Sequence, residues 1–114
     1  MQRIPVPIAA VQLGTSASAV YTAPSGVTAT INNLTLTNTT TTPVAVTVYR
    51  VPSGGAPSSA NMIVCNYGLS ANQTYVPPAA IGQHLSPGMT LQALAGTASA
   101  VTLTGGVYET SGSA

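Results

Sequence analysis

Residues 27–51 decide the fold, and they read VTATINNLTLTNTTTTPVAVTVYRV. Both halves of this stretch are rich in Val, Ile, Leu and Thr, which favour β-strands, and neither half has apolar residues at helical spacing. The pattern predicts one strand over Val27–Asn38 and another over Val44–Val51, joined by an exposed run of threonines that Pro43 closes.

The second of these strands alternates cleanly. The valines of residues 44–48 share one face, which we expect to point into a core. Thr47 and Tyr49 fall on the other face, which we expect to be semi-polar or to face a partner. Arg50 is in phase with the valines at the end of the strand, where its guanidinium group can reach water.

Irregularities are expected at two places. The pair Asn32-Asn33 interrupts the alternation of the first strand and predicts a bulge or a bend. The pair Gly105-Gly106 splits the last apolar stretch and predicts a bulge or a close backbone approach. In addition, Ser86-Pro87-Gly88 has the proline and glycine positions of a type II turn.

The rest of the chain repeats the same design, because short stretches of β-forming residues alternate with clusters of Pro, Gly and Ser. We predict an all-β fold, an antiparallel β-sandwich of about eight strands with jelly-roll or Greek-key connections. The order of the strands is not readable from the pattern. The other predicted strands are Ile8–Leu13, Ala19–Thr22, Asn61–Tyr67, Gln73–Val76, Met89–Ala95 and Ala100–Thr110.

Three segments are expected along the chain: an extended N-terminal arm over residues 1–7, a single sandwich domain over 8–110, and a flexible tail over 111–114. In the arm, apolar residues alternate with prolines, which limits pairing within a sheet, so the arm can lie across a neighbour. A disordered leader is the alternative. The predicted interface residues are Arg3, Ile4, Pro5, Val6, Pro7 and Arg50.

Charge is almost absent. Arg3, Arg50 and Glu109 are the three charged side chains in 114 residues, and the formal net charge is +1. Most enzymes need paired acids and bases or metal-ligating carboxylates, so this composition predicts no enzyme. So small a charge also gives little attraction for nucleic acid, for an anionic membrane or for a charged small-molecule substrate. Near-neutral proteins tend to associate, which favours an assembled chain.

Reactive side chains are few. A metal cluster would have to use Cys65, His84 and Glu109, and a hydrolytic triad would need His84 and Glu109 with either Cys65 or a serine, so we expect no metal, no cofactor and no catalytic site. Cys65 alternates with Ile63 and is interpreted as a small core residue, and His84 as a surface or hydrogen-bonded residue. The tyrosines are spread one to a strand, which favours packing over a carbohydrate platform.

The N-terminal apolar stretch is interrupted by Pro5, Pro7 and Gln12, so an export signal is not favoured. No apolar run approaches the roughly 18 residues of a membrane helix. We therefore expect a soluble protein that folds in a reducing cytoplasm.

Several motifs together resemble those of small β-sandwich virion proteins of tailed bacteriophages. They are LGTS at residues 13–16, APSG at 23–26, LTLTN at 34–38, and a Pro-Gly turn shortly before LQA at 91–93. The resemblance spans most of the chain.

The resemblance implies a capsid decoration or cement protein, a non-enzymatic component of the outer capsid surface, made in the cytoplasm of a bacterial host. Its implied partners are the major capsid protein, whose subunit contacts it would stabilise, and further copies of itself, as a homotrimer. The alternative is a tail, fibre or host-surface adhesin module, which would need an exposed receptor site.

Overall fold

The computed structural model describes the backbone of residues 3–111 and the side chains of residues 4–110. This part of the chain contains β-strands and one 3-10 turn, Ser59–Asn61, but no α-helix, and hence no helix long and apolar enough to cross a membrane. The strands are β1 (Arg3–Gln12), β2 (Ser18–Thr22), β3 (Val27–Asn38), β4 (Val44–Val51), β5 (Met62–Leu69), β6 (Thr74–Tyr75), β7 (His84–Leu85), β8 (Thr90–Ala95) and β9 (Val101–Ser111).

The strands form two antiparallel sheets. The first sheet has the order β1-β9-β3, and the short strands β6 and β7 both pair with the far side of β3. The second sheet has the order β2-β8-β4-β5. The chain therefore changes sheet repeatedly, and the sandwich measures 49 × 25 × 20 Å.

The strand pairs are nested along the chain. β1 pairs with β9, β2 with β8, β3 with β6 and β7, and β4 with β5. Such nesting is that of a two-stranded ribbon rolled up on itself, and the contacts β9·β3 and β8·β4 close the roll into two sheets. This is the jelly-roll winding, and it confirms the predicted antiparallel sandwich.

The core lies between the sheets and is built from aliphatic side chains at alternate positions of the strands. Large, fully buried members are Leu13, Ile31, Leu34, Leu36, Val46, Val48, Leu69, Leu85, Leu91, Val101 and Leu103.

One buried polar side chain ties the end of β3 to its surroundings. The amide nitrogen of Asn38 donates to the carbonyl oxygens of Thr42 at 2.8 Å, Ser70 at 3.1 Å and Leu69 at 3.3 Å. Its Oδ1 accepts from the backbone and the hydroxyl of Thr40. Because every polar atom of the side chain is bonded, its complete burial is tolerated.

Strands β3 and β4 have the predicted bounds, but the N-terminus differs from its prediction. Arg3–Pro7 pair with residues 106–110 as the first half of β1, rather than forming a separate arm. Pro5 and Pro7 fit because they alternate along an edge strand, where their nitrogens face away from β9. The rest of the arm, residues 1–2, and of the predicted tail, residues 112–114, lie outside the described residues, and Ser111 ends β9.

The bulge predicted at Asn32-Asn33 and the irregularity predicted at Gly105-Gly106 lie side by side in the sheet. Ile31 pairs with Val107 and Asn33 with Gly106, so Asn32 is the extra residue of a bulge in β3. Beside it, a Cβ atom on Gly105 would overlap the Asn33 carbonyl oxygen, so only glycine fits without a shift of the backbone. β9 itself is continuous and is not split.

Burial of β4 and β5 corrects two predictions. Thr47 is only 2% exposed and Tyr49 is also buried, so that face of β4 is covered within this chain. Cys65 is exposed rather than part of the core, because β5 is bulged against β4 and Val64 takes the buried position. Asn66, with a φ of 46°, lies at this bulge, and its backbone N–H donates to the Thr47 hydroxyl.

Candidate interaction surfaces

The outer face of the first sheet is dominated by threonine. In β3 and β9 the buried residues alternate with half-buried threonines on the opposite face. Three threonine pairs lie side by side across the two strands, Thr28 with Thr110, Thr35 with Thr104 and Thr37 with Thr102. Thr37 also lies 3.4 Å from Thr74 of β6, hydroxyl to hydroxyl. The result is a broad neutral face with hydroxyl and methyl groups.

A shallow depression of about 280 Å³ lies on this face beside β1. Pro5 and Pro7 are exposed along it, and Gly106, having no side chain, leaves it open. Its lining residues are Pro5, Val6, Pro7, Asn32, Gly106, Val107 and Tyr108. Three of the predicted interface residues thus share one depression. Ile4, 52% exposed, lies in the same strand, and Val6 packs partly against the core.

Arg50 is the predicted interface residue that lies outside β1. Its Nη1 donates to Gln83 Oε1 at 3.0 Å and to the backbone oxygen of His84 at 3.1 Å, so it joins β4 of the second sheet to β7 of the first. The residue is half-buried, which is compatible with the predicted access of its guanidinium group to water.

Arg50 also lines a cleft of about 370 Å³ between the β4–β5 connection and the β6–β7 connection. Both polar and apolar atoms line it, and Gln83 Oε1 accepts a hydrogen bond from the guanidinium group. The lining residues are Arg50, Pro52, Ala60, Asn61, Met62, Ile63, Ala79, Gln83 and Met89.

The structure does not bring the predicted interface residues together. Pro5, Tyr108, Thr30 and His84 are successive partners across the first sheet, so β1 is separated from β7, where Arg50 bonds, by three strand spacings, roughly 14 Å. The β1 depression and the Arg50 cleft are therefore two separate candidate surfaces.

The sole acidic side chain of the sequence lies on the inner side of β9. Glu109 Oε2 accepts a hydrogen bond of 2.5 Å from the hydroxyl of Tyr21 in β2, on the other sheet. Burial raises the pKa of Tyr21 well above its ordinary value, and the hydrogen bond and the negative charge of Glu109 raise it further.

The structure also brings together two tyrosines that the sequence suggested were scattered. The rings of Tyr67 in β5 and Tyr75 in β6 stack with their centroids 4.0 Å apart and an angle of 11° between their planes. The pair bridges the two sheets at the edge opposite β1, and Tyr67 is exposed. No signal in the sequence announces it, since the contact depends on which strands become neighbours.

The residues that could have carried chemistry do not converge. His84 lies on the outer face of the first sheet, where its Nδ1 is 3.0 Å from the Thr30 hydroxyl. Glu109 lies on the inner side, and Cys65 is exposed in β5 of the other sheet. Within residues 3–111 no three His, Cys or acidic residues lie close enough to hold a metal ion. The interpretation of His84 as a hydrogen-bonded surface residue is confirmed.

Comparison with known proteins gives a fold and no family. No family model matches the sequence, and no curated protein matches it. Among solved structures, the chain is similar to one chain in the structure of infectious bursal disease virus, Gx strain, with a TM-score of 0.52 and 14% identity. The likeness covers 95% of this chain but 31% of the viral one, so this chain spans about a third of its length. At this identity the likeness establishes the β-sandwich fold alone.

Proposed function

We propose that the protein is a non-enzymatic structural component of a virus particle, and more narrowly a decoration or cement protein on the outer surface of a tailed-phage head. The observation that carries the proposal is the neutral, threonine-rich outer face of a jelly roll whose fold is also found in a virus structure. Jelly rolls occur in viral capsids and also in lectins. The fold therefore does not distinguish a capsid role from sugar binding, and the surface residues have to be considered.

The surface favours repeated contact with protein. Both charged side chains that the structure describes, Arg50 and Glu109, are hydrogen-bonded within the chain. Contacts made by threonine, proline and backbone groups are hardly weakened by salt, unlike exposed ion pairs. Repetition over a lattice multiplies weak contacts of this kind into firm attachment.

In this proposal the partner is the major capsid protein, and the contact surface is the β1 depression with Ile4, Pro5, Val6 and Pro7, while Arg50 contributes at the opposite edge. The prolines make β1 a poor template for adding another strand, because they remove N–H donors from its free edge. The partner therefore packs on the face of β1 rather than extending the sheet. Self-association as a homotrimer is part of the same proposal.

The test is co-sedimentation of the purified protein with empty phage heads, with isolated tails as a matched control, at low and high salt. Saturable pelleting with heads at both salt concentrations supports the proposal. A Pro5→Lys, Pro7→Lys double variant, which places charges in the depression, should lose pelleting while staying folded. If the double variant pellets as the parent does, the β1 contact is wrong.

The second candidate is an adhesin module of a tail or fibre. The stacked and partly exposed pair Tyr67 and Tyr75 favours it, because aromatic faces can pack on sugar rings. Pelleting with tails or binding to host cells, abolished by Tyr67→Ala and unaffected by the proline variants, would replace the capsid proposal with this one.

A further inference from the structure

We propose that the Arg50 cleft is a binding site for the C-terminal carboxylate of a partner polypeptide whose last residue has a small apolar side chain. The inference does not rest on the proposed function, since it concerns the chemistry of the cleft whatever particle or cell supplies the partner.

The positive charge of Arg50 has no anionic partner among the described residues. Arg50 contacts a side-chain amide and a backbone carbonyl through Nη1, and no described carboxylate forms an ion pair with it. Glu109, the one acidic side chain of the sequence, is bonded to Tyr21 instead. Because this guanidinium has no anionic partner among the described residues, an anionic ligand that occupies the cleft would gain charge-assisted hydrogen bonds to it.

The guanidinium group of Arg50 presents its free N–H donors in a defined geometry. With Nη1 held by Gln83 and His84, the guanidinium plane is fixed, and Nη2 and Nε have no partner among the described residues. Gln83 is itself fixed, because its Nε2 donates to the Ala79 carbonyl oxygen at 3.0 Å. Nη2 and Nε form one side of the arginine fork, which matches the two oxygens of a carboxylate.

The size and lining of the cleft suit a small ligand with an apolar side chain. Its volume of about 370 Å³ is near the lower end of the range for ligand pockets, roughly 300–1,000 Å³. Met62, Ile63 and Met89 provide apolar walls beside the guanidinium. A C-terminal residue presents a carboxylate and an apolar side chain from the same carbon atom, so it satisfies both parts of the site, which a free Asp or Glu side chain does not.

The test uses the side-chain Nε–Hε signals of the protein labelled with nitrogen-15. The sequence has two arginines, so the spectrum has two such signals, and Arg3 serves as an internal control for Arg50. The probes are acetyl-Gly-Val with a free carboxylate, the same dipeptide as its C-terminal amide, and acetyl-Asp-amide.

We expect the free-carboxylate dipeptide to shift the Arg50 signal saturably, with a dissociation constant on the order of 1 mM, as befits a small ligand with one charged contact. The amide should bind at least about tenfold more weakly, because it loses the charge-assisted hydrogen bonds. Acetyl-Asp-amide should also bind more weakly, for lack of the apolar contact. Equal shifts with acid and amide, or equal shifts of both arginines, would overturn the proposal.

Two variants locate the site. Arg50→Lys keeps the charge but not the fork, and should weaken binding about tenfold. Ala60→Leu, on the exposed 3-10 turn, enlarges a side chain that lines the cleft and belongs to none of the hydrogen bonds of Arg50 or Gln83, and should abolish the saturable shift while the Arg50 signal persists. Arg3→Lys is the matched control and should bind as the parent does. If Arg50→Lys does not fold, the Ala60→Leu variant still tests the proposed site, because undiminished dipeptide binding by this variant would show that the dipeptide binds elsewhere.

Discussion

Tyr21 donates a hydrogen bond of 2.5 Å to Glu109 and thereby joins β2 of one sheet to β9 of the other. In a chain with three charged side chains, the one acidic side chain thus links the two sheets. The same bond stabilises the protonated form of Tyr21, because a phenolate beside a carboxylate would be repelled.

This contact predicts a dependence on alkaline pH. The pKa of Tyr21 is higher in the folded than in the unfolded chain, so the stabilisation is complete below the unfolded value of about 10 and is lost as pH rises through the folded value. The free energy of unfolding should therefore fall above about pH 10 more steeply for the parent than for Tyr21→Phe. Urea unfolding at a series of pH values measures both slopes. Parallel curves for the two proteins would show that the Tyr21 contact is not formed.

Removal of Asn38 should be among the most damaging single changes. Asn38→Ala leaves the carbonyl oxygens of Thr42, Leu69 and Ser70 without their donor, and should lower the free energy of unfolding by about 3 kcal/mol. Asn32→Ala, at an exposed residue of the same strand, is the control and should change it by less than about 0.5 kcal/mol. Urea unfolding compares the two, and equal effects would contradict the anchoring role of Asn38.

Glycine 105 should not tolerate a side chain. In Gly105→Ala the new methyl group would overlap the backbone of Asn33, and the expected cost is on the order of 3 kcal/mol, with separation of β9 from β3 beside the bulge. Gly14→Ala is the matched control, since nothing lies within 4 Å of its added Cβ. Thermal unfolding by circular dichroism distinguishes them, and a stable Gly105→Ala variant would refute the close approach.

Exposure of Cys65 predicts rapid modification of the native protein. A water-soluble disulfide reagent should label the thiol without denaturant, at a rate close to that of the unfolded chain. Cys65→Ser should change the free energy of unfolding by less than about 0.5 kcal/mol. Labelling that requires denaturant would restore the core interpretation of this residue.

The central strands were predictable because their signal is local. Apolar and polar residues alternate in β3 and β4. The proline after the threonine run marks the start of β4, and the Pro-Ser-Gly-Gly segment marks its end. The bulge at Asn32 was predictable for the same reason, since a break in alternation is visible within a few residues.

The remaining features depend on distant partners. β7 has two residues within a Gly-Gln-His-Leu-Ser-Pro segment and exists because β3 offers it a free edge. Pro5 and Pro7 argued against pairing, yet they pair because β1 lies at an edge. Exposure of Cys65 follows from bulges between β4 and β5, and the hydrogen bonds of Arg50 depend on acceptors more than thirty residues away in sequence. The strand pattern predicted the sandwich, whereas the candidate interaction surfaces depend on which distant strands become neighbours in it.

Attachment of the protein to a viral head, and stabilisation of that head, can be measured as the temperature at which empty tailed-phage heads disintegrate, followed by light scattering with and without saturating protein. We expect a higher temperature with the protein, retained at high salt and lost with the Pro5→Lys, Pro7→Lys variant. A temperature that the protein leaves unchanged at every concentration would contradict the proposed role.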